Sequence, residues 1–314
     1  MTDSPLFVSS GDLIADRRYK AAIELASRGD FAGAADILAQ TVELTPNFAT
    51  AWFALGAIRD RQGDRAGAIA AFARVRDNDP EDYHGARLQL ARLNAGEAAP
   101  KMTDTYVRRL FDQYAARYDE ALTERLNYCG PAVLLDAVKA AVRATGRPMH
   151  FAAGLDLGCG TGLGGLAFRP FVDRLVGVDL SPAMIAQAKA KGVYDRLVTA
   201  DLNGFVAEAI ATAETYHLVV AADVFVYVND LGPIIAAIAR VLAAGGVFAF
   251  TVETHSDGGV KLQPTLRYAY GEGYLRAAIG EAGLTLVTLA AASVRTENGV
   301  PVPGLVAVSS VPQA

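Results

Sequence analysis

The second half of the chain alternates short apolar runs with helical stretches such as Pro182–Lys191, and this alternation is the feature that most restricts its fold. Seven of the runs are predicted strands: Gly154–Leu157, Leu175–Asp179, Arg196–Thr199, His217–Ala221, Val247–Val252, Leu284–Ala290 and Leu305–Ser309. Strands that alternate with helices form a parallel sheet covered on both faces, so the sequence predicts a doubly wound, seven-stranded α/β fold. A short connection with Gly and Pro at 298–303 predicts a hairpin, which makes the last strand antiparallel.

The first predicted strand ends in an acidic residue and then turns through alternate glycines. The segment reads Leu155-Asp156-Leu157-Gly158-Cys159-Gly160-Thr161-Gly162. Glycines allow a sharp turn and let a ligand lie against the backbone, because no Cβ stands in the way. Asp156, just before the turn, is placed to meet a positively charged or N–H-bearing group of that ligand.

Acidic side chains also end the next two predicted strands. Asp179 closes the second strand, 23 residues after Asp156, and Asp201 closes the third. A carboxylate in the place of Asp179 can accept hydrogen bonds from both hydroxyls of an adenosine ribose, and Asp201 would lie beside the adenine edge. Open parallel sheets bind ligands at the carboxyl ends of their strands, so we expect the three carboxylates to line one crevice.

The first hundred residues contain a repeat with a period of 34 positions. Gly29-Asp30 recurs as Gly63-Asp64, and Pro46 recurs as Pro80. That period, with paired helices, is typical of tetratricopeptide repeats. The expected helices are Tyr19–Ser27, Phe31–Leu44, Ala49–Gln62, Arg65–Arg76 and Tyr83–Leu93. Such an array binds a partner in its concave groove, supports the fused domain or mediates self-association; an unrelated helical bundle is the alternative.

These patterns divide the chain into three parts. Residues 10–97 form an all-α, tetratricopeptide-like domain, and the small, Gly- and Pro-containing segment 95–100 is the predicted linker. Residues 98–150 hold the linker and further helices, and residues 151–314 form the α/β domain.

The α/β part closely resembles the class I S-adenosylmethionine methyltransferases over roughly residues 105–310. Residues 156–162 match their glycine-rich first motif, Asp179 their ribose-binding acid and Asp201-Leu202 their adenine-side motif. Residues 221–225 match the stretch after strand four, and residues 242–246 resemble their Leu-x-Pro-Gly-Gly turn without the proline. With its repeats, the chain resembles a bacterial family of predicted methyltransferases that carry tetratricopeptide repeats.

The resemblance implies a Rossmann-like fold, S-adenosyl-L-methionine as the cofactor and transfer of a methyl group to an acceptor. The residues expected to contact the cofactor are Asp156, Gly158, Cys159, Gly160, Asp179, Leu180, Met184, Asp201, Leu202, Ala222, Tyr114 and Tyr118. The two tyrosines belong to residues 111–119, which resemble a Phe-Asp-x-x-Ala-x-x-Tyr-Asp segment that forms a lid in many small-molecule methyltransferases. An ordinary aromatic packing stripe is the alternative.

A dinucleotide oxidoreductase is the competing interpretation of the glycines. Gly160, Gly162 and Gly165 satisfy the G-x-G-x-x-G pattern, and Asp179 follows at a nearly suitable distance. That pattern alone is weak. The carboxylate of Asp156 would repel a pyrophosphate but attract an amino acid that carries a sulfonium group, so the methyltransferase is favoured.

Candidates for catalysis follow strands four and five. Methyl transfer from a sulfonium is an in-line displacement, so a base is needed only if the acceptor loses a proton. His255 is the candidate base, with an exposed loop histidine as the alternative. The acceptor-pocket candidates are Tyr227, Arg267, Tyr268 and Tyr270. A small-molecule acceptor is expected; a protein substrate recruited by the repeats and a non-catalytic, cofactor-sensing scaffold are the alternatives.

Composition restricts the partners and the location. The net charge is −5 and no run of Lys or Arg exceeds a pair, so a nucleic-acid partner is not expected. The two cysteines, Cys129 and Cys159, form neither a disulfide framework nor a metal-binding spacing, which favours a reducing cytoplasm and no metal. No apolar run reaches the roughly 18 residues of a membrane span.

Overall fold

The structure, a computed structural model, describes residues 7–115, 118–120 and 127–312, the side chain of Glu120 excepted. The chain divides into two units. The first comprises the chain up to Arg109 together with Pro264–Leu266, and the second comprises Leu110–Gln263 and the chain from Arg267 onwards. Among the described residues, none of the helices has the length and apolar character that crossing a membrane requires.

The first unit is built mainly of helices. They are α1 (Leu13–Ser27), α2 (Phe31–Leu44), α3 (Ala49–Arg61), α4 (Arg65–Asn78), α5 (Ala86–Arg92) and the first part of α6 (Asp104–Tyr114). The first predicted helix starts six residues too late, because Asp12 caps α1 through the N–H groups of Ile14 and Ala15. The other four predicted helices are confirmed, with ends that differ by three residues or fewer.

The 34-residue repeat encodes a repeated helix cap. Asp30 and Asp64 each accept the N–H of the glycine three residues later, at 2.9 Å in both cases. A methyl group built on Gly33 would lie 2.6 Å from the Asp30 carboxylate, so glycine at this position leaves room for the capping side chain. The caps place apolar faces of successive helices together, and Ala22, Leu38 and Leu55 lie at the centre of the resulting core.

The second unit alternates strands and helices. Its helices are α7 (Tyr118–Glu120), α8 (Gly130–Ala144), α9 (Leu163–Phe168), α10 (Pro182–Lys191), α11 (Leu202–Ala211), α12 (Gly232–Val241) and α13 (Glu272–Glu281). Its strands are β1 (Phe151–Leu157), β2 (Val172–Asp179), β3 (Arg196–Thr199), β4 (Tyr216–Ala221), β5 (Leu242–Thr254), β6 (Val260–Leu262), β7 (Tyr268–Tyr270), β8 (Thr285–Ala291), β9 (Thr296–Glu297), β10 (Val300–Pro301) and β11 (Gly304–Ser310).

The main sheet has the order β3-β2-β1-β4-β5-β11-β8. Strands β1 to β5 pair in parallel, and β11 runs antiparallel to both neighbours, β5 and β8. The predicted seven-stranded sheet with an antiparallel last strand is therefore confirmed. The structure adds to this sheet two short strands that were not predicted: β7 pairs with the end of β5, and β6 pairs with β7.

The order of the strands places a crevice beside β1. The chain adds β2 and β3 on one side of β1 and later adds β4 and β5 on the other side. The order in which strands are added therefore reverses between β1 and β4. At such a switch point the connections leave in opposite directions, and a crevice opens at the carboxyl ends of the strands. Asp156 and Asp179 stand at this edge of the sheet.

Candidate functional site

The glycine turn after β1 is held in a left-handed conformation. Gly158, Gly160 and Gly162 have φ of 66°, 53° and 94°, a region that favours glycine. A methyl group on Gly158 would collide with Val224, whereas a methyl group on Gly160 would meet nothing within 4 Å. The N–H of the buried Cys159 donates to Val178 at 2.9 Å, and burial raises the pKa of its thiol. The turn is thus fixed to β2 and leaves open space beside Gly160.

Asp179 connects this turn to the start of α10. Its carboxylate accepts the N–H of Gly160 at 2.9 Å and the N–H of Ser181 at 2.8 Å. Burial raises the pKa of Asp179, and the two N–H groups oppose that increase because they stabilise the charged form. The side chain is therefore held in one orientation at the tip of β2.

Asp156 is more deeply buried, and its hydrogen-bond partner was not predicted. Its side chain is 2% exposed and accepts a hydrogen bond from the Tyr194 hydroxyl at 2.7 Å. Burial raises the pKa of Asp156 to about 7. A methyl group on Gly164 would lie 2.6 Å from the carboxylate, so that glycine leaves room for Asp156. No local pattern links Asp156 to a tyrosine 38 residues later.

A small cavity of about 40 Å³ brings many of the predicted cofactor residues together. The predicted residues in its lining are Tyr118, Asp156, Gly158, Cys159, Gly160 and Ala222. Tyr128, which was not among the predicted residues, also lines it. The crevice expected from the strand order therefore exists, and the glycine turn and Asp156 form part of its wall.

The remaining predicted cofactor residues are not in the lining of this cavity. Asp201 caps α11 by accepting the N–H of Gly204 at 2.8 Å, and Leu202 begins that helix. Met184 is fully buried within α10, whereas Leu180 is half-buried. Tyr114 is half-buried at the end of α6.

The lid-like segment is attached to the turn and to α10 by two aspartates. The hydroxyl of Ser181 donates to Asp112 at 2.5 Å. Asp119 accepts hydrogen bonds from the Thr161 hydroxyl and from the Lys191 ammonium, the latter at 2.7 Å. Residues 116 and 117 of this segment, and residues 121–126 after it, lie outside the described residues. The described parts of the segment thus contact the glycine turn and both ends of α10.

A buried charge cluster lies at the ends of β4 and β5. Arg295, 1% exposed, donates to both oxygens of Asp223 at 2.9 Å and also to Glu253. Burial raises the pKa of Glu253 even beside this arginine. The cluster was not predicted, because its members come from distant parts of the sequence. Across the described residues, no group of three or more His, Cys, Asp or Glu is placed to hold a metal ion.

Two of the predicted acceptor-pocket residues are placed next to this cluster. Arg267 donates to Glu297 at 3.1 Å. Burial alone would lower its pKa, but Tyr227 and the nearby carboxylates raise it instead. The ring of Tyr227 stands edge-on to Phe111 with centroids 5.2 Å apart. The positive charge of Arg267 is therefore already balanced by carboxylates of the protein itself.

The other two predicted acceptor residues belong to the core. Tyr268 and Tyr270 lie on β7, and both are 0% exposed. The Tyr270 hydroxyl contacts the carbonyl oxygens of Phe225, at 2.7 Å, and Val228. The prediction placed them in the acceptor pocket because they follow the carboxyl ends of strands four and five, but the structure places them on the unpredicted strand β7 with buried side chains. Their burial corrects that placement.

His255 follows β5 as expected, and its hydrogen bond defines its tautomer. The N–H of Asp257 donates to Nδ1 at 3.2 Å, so a neutral ring carries its proton on Nε2. Nε2 is buried and has no hydrogen-bond partner among the described residues. In this arrangement Nε2 is a donor, and a role as general base requires the other tautomer.

Comparison with known families identifies the α/β unit. Residues 155–250, which contain Asp156, Asp179 and Asp201, match the family model of the methyltransferase domain. The chain contains a methyltransferase domain. Residues 25–93 match the tetratricopeptide repeat model, so repeats precede the methyltransferase domain. Human methyltransferase-like protein 27 is 36% identical over 108 residues, which are 34% of this chain and 42% of that protein.

Solved structures show the same fold for the methyltransferase domain. The N-methyltransferase NodS from Bradyrhizobium japonicum, in complex with S-adenosylhomocysteine, is 20% identical with a TM-score of 0.50, covering 66% of this chain and 98% of NodS. Synechocystis magnesium protoporphyrin IX methyltransferase with bound S-adenosylhomocysteine is 18% identical, with a TM-score of 0.50 and coverage of 66% and 99%. The [4+2]-cyclase SpnF is 15% identical, with a TM-score of 0.52 and coverage of 68% and 98%.

Proposed function

We propose that this chain is an S-adenosylmethionine-dependent methyltransferase whose acceptor is a small molecule. The observation that carries the proposal is the placement of Asp156 and Asp179 on neighbouring strands beside the glycine turn. Two buried carboxylates attract a ligand that carries sulfonium and ammonium groups, and they repel a pyrophosphate. S-adenosylmethionine has both of the cationic groups and a ribose with two free hydroxyls.

The residues present fit this cofactor. Open space beside Gly160 allows a ligand to lie against the backbone. Asp179 already accepts two N–H groups, but its two oxygens have about four acceptor sites, so it can also accept the ribose hydroxyls. Asp201, Leu202 and Leu180 would flank the adenosine. Gly158, Cys159 and Ala222 would lie beside the methionine part, and the buried Met184 would support the site from the core.

The cofactor supplies an activated methyl group, and the chain supplies alignment and exclusion of water. Tyr118 and Tyr114 would cover the cofactor, with Tyr227 on the acceptor side. Burial raises the pKa of the Tyr118 phenol, so its hydroxyl stays neutral and available as a donor near pH 7. Arg267 is paired with Glu297, so an anionic acceptor would have to displace that carboxylate. An uncharged or cationic acceptor therefore fits this part of the site better.

A protein acceptor is the second candidate, because residues 25–93 match tetratricopeptide repeats. Two solved neighbours are a magnesium protoporphyrin IX methyltransferase and an N-methyltransferase, while a third is a [4+2]-cyclase. The fold alone is therefore compatible with different chemistry, and the acceptor has to be found by experiment.

The test uses the full-length chain, S-adenosylmethionine with a labelled methyl group, and a cell extract separated into small-molecule and protein fractions. We expect label in the small-molecule fraction. Label in the protein fraction alone would support the second candidate. No transfer to either fraction, although the cofactor binds, would contradict the proposed activity.

A further inference from the structure

The structure contains a residue beside the proposed cofactor site to which neither the sequence motifs nor the comparisons assign a role. On the basis of the proposed function, we propose that Tyr194 is a positioning residue that orients Asp156 and sets the pH range in which the cofactor binds. Tyr194 lies in the loop between α10 and β3 and is half-buried.

Two hydrogen bonds define the direction of the phenol proton. The Tyr194 hydroxyl accepts the N–H of Gly165 at 3.0 Å and lies 2.7 Å from Asp156 Oδ2. The N–H of Gly165 can only donate, so the phenol's own proton points to the carboxylate. A hydroxyl that donates to a carboxylate stabilises its ionised form. Tyr194 therefore both fixes the orientation of Asp156 and favours its negative charge.

The glycines around Tyr194 make room for its ring. A methyl group on Gly165 would overlap the phenol, one on Gly177 would lie 2.8 Å from the ring, and one on Gly162 would lie 3.2 Å from it. Gly162 and Gly165 are the second and third glycines of the G-x-G-x-x-G pattern. In this chain they accommodate an aromatic side chain, and the N–H of Gly165 is already bonded to it. This explains why a pattern shared with dinucleotide enzymes occurs beside the acidic Asp156.

The charged and titratable groups around Asp156 leave Tyr194 as the principal stabiliser of its ionised form. Burial raises the pKa of Asp156 to about 7, the Tyr194 hydrogen bond opposes that increase, and the nearby Asp179 adds to it. Cys159 and Tyr128 also face this carboxylate, but burial raises the pKa of both well above neutrality, so they stay uncharged. Without the Tyr194 hydroxyl, burial and Asp179 act unopposed. Asp156 would then be protonated at neutral pH and would lose its attraction for the cofactor's ammonium group.

The experiment is calorimetric titration of the full-length chain with S-adenosylhomocysteine from pH 6 to pH 9, for the wild type, Tyr194→Phe and Tyr274→Phe. Tyr274 is a matched control, because its hydroxyl also contacts a carboxylate, that of Asp230, and accepts a backbone N–H, that of Leu231, both at 2.7 Å. The ligand's own amino group titrates alike in all three proteins, so the difference between them reports on the protein.

We expect the wild-type affinity to rise with pH around a midpoint near 7. In Tyr194→Phe that midpoint should move up by about one pH unit, which makes binding about fivefold weaker at pH 7 and nearly equal to wild type at pH 9. Tyr274→Phe should follow the wild type.

Two results would overturn the role of Tyr194. One is a Tyr194→Phe profile that coincides with the wild type. The other is a loss of affinity by the same factor at every pH, which would indicate a purely structural role. Failure of the wild type to bind S-adenosylhomocysteine at any pH would instead contradict the proposed function itself.

Discussion

Folding and cofactor binding place opposite requirements on Asp156: burial favours a neutral side chain, and the proposed cofactor favours a charged one. It is 2% exposed, and burial raises its pKa to about 7, so keeping it ionised in the absence of a cation costs stability. The proposed cofactor needs that negative charge. A residue kept for binding at the expense of folding is common at functional sites, where activity and stability conflict.

The first prediction follows from this conflict: Asp156→Asn should stabilise the ligand-free protein at neutral pH. The unfolded chain ionises this carboxyl above its ordinary pKa of 3.8, whereas the folded chain does so only around pH 7. The wild type therefore loses stability between about pH 4 and pH 7, and the loss is constant above that range. The asparagine should give an advantage on the order of 4 kcal/mol at pH 8 and almost none at pH 4.

Denaturant unfolding at the two pH values measures this difference. The same variant should bind S-adenosylhomocysteine more weakly than the wild type at pH 8. A variant that is less stable than wild type at pH 8 would contradict the assignment of a raised pKa to this carboxyl.

A second prediction concerns Asp179, which we expect to hold the ribose. Asp179→Ala should weaken binding of S-adenosylhomocysteine by about 1.5–3 kcal/mol for each hydrogen bond lost to the charged group. Asp173→Ala is the control, since Asp173 lies at the other end of β2, and its side chain is 61% exposed and pairs with the exposed His150. Calorimetry on both variants tests the role, and equal affinity for wild type and Asp179→Ala would contradict it.

Among the secondary-structure elements, Arg295 connects segments that are distant in the chain. It donates to Asp223 after β4 and to Glu253 in β5, and it directly precedes the β9–β10 hairpin. In that hairpin, Asn298 and Gly299 both have positive φ, of 50° and 78°, as a type I′ turn requires. The arginine thus holds the hairpin connection against the ends of the two central strands.

The third prediction is that Arg295→Met strongly destabilises the second unit. Removing the guanidinium leaves the buried Glu253 and the half-buried Asp223 without this hydrogen-bond partner, which costs about 3–5 kcal/mol. Arg276→Met is the matched control, because Arg276 forms an exposed pair with Glu272 on α13, a type worth roughly 0–1 kcal/mol. In urea unfolding, the midpoint of Arg295→Met should lie clearly below that of Arg276→Met. Similar midpoints for the two variants would show that the buried cluster contributes little to stability.

The elements that were predicted correctly carry local signals. Helix α10 was predicted with the limits it has, because Ser181 caps it and Pro182 fixes its first turn. Strand β7 was missed because three residues are too short for a periodic pattern, and the error placed Tyr270 in the wrong environment.

Contacts between distant residues were beyond prediction. The Tyr194–Asp156 and Arg295–Asp223 contacts join residues 38 and 72 positions apart, and nothing in the local sequence encodes either pairing. The glycine turn and the acids at the strand ends were predictable because both depend on positions adjacent in sequence.

At the scale of the whole molecule, the two units have separate cores. Leu38 and Leu55 belong to the core of the first unit, while Leu175 and Val220 belong to that of the second. A ligand that binds only the folded second unit stabilises it by about 2.7 kcal/mol at a concentration one hundred times its Kd.

The fourth prediction is therefore a divided response in hydrogen exchange. Saturating S-adenosylhomocysteine should slow amide exchange in peptides from β1, β2 and α10. Peptides from α1 to α4 should exchange at unchanged rates, and they serve as the internal control. Equal slowing in the helical repeats would contradict a cofactor site confined to the methyltransferase domain.

The most direct test of the proposed cofactor site is calorimetric titration of the full-length chain with S-adenosylhomocysteine and, separately, with NADH. The acids at the strand ends and the tyrosine that occupies the N–H of Gly165 predict one saturable site for S-adenosylhomocysteine and no binding of NADH. Binding of NADH, or no binding heat from S-adenosylhomocysteine at any pH between 6 and 9, would contradict the proposed cofactor site.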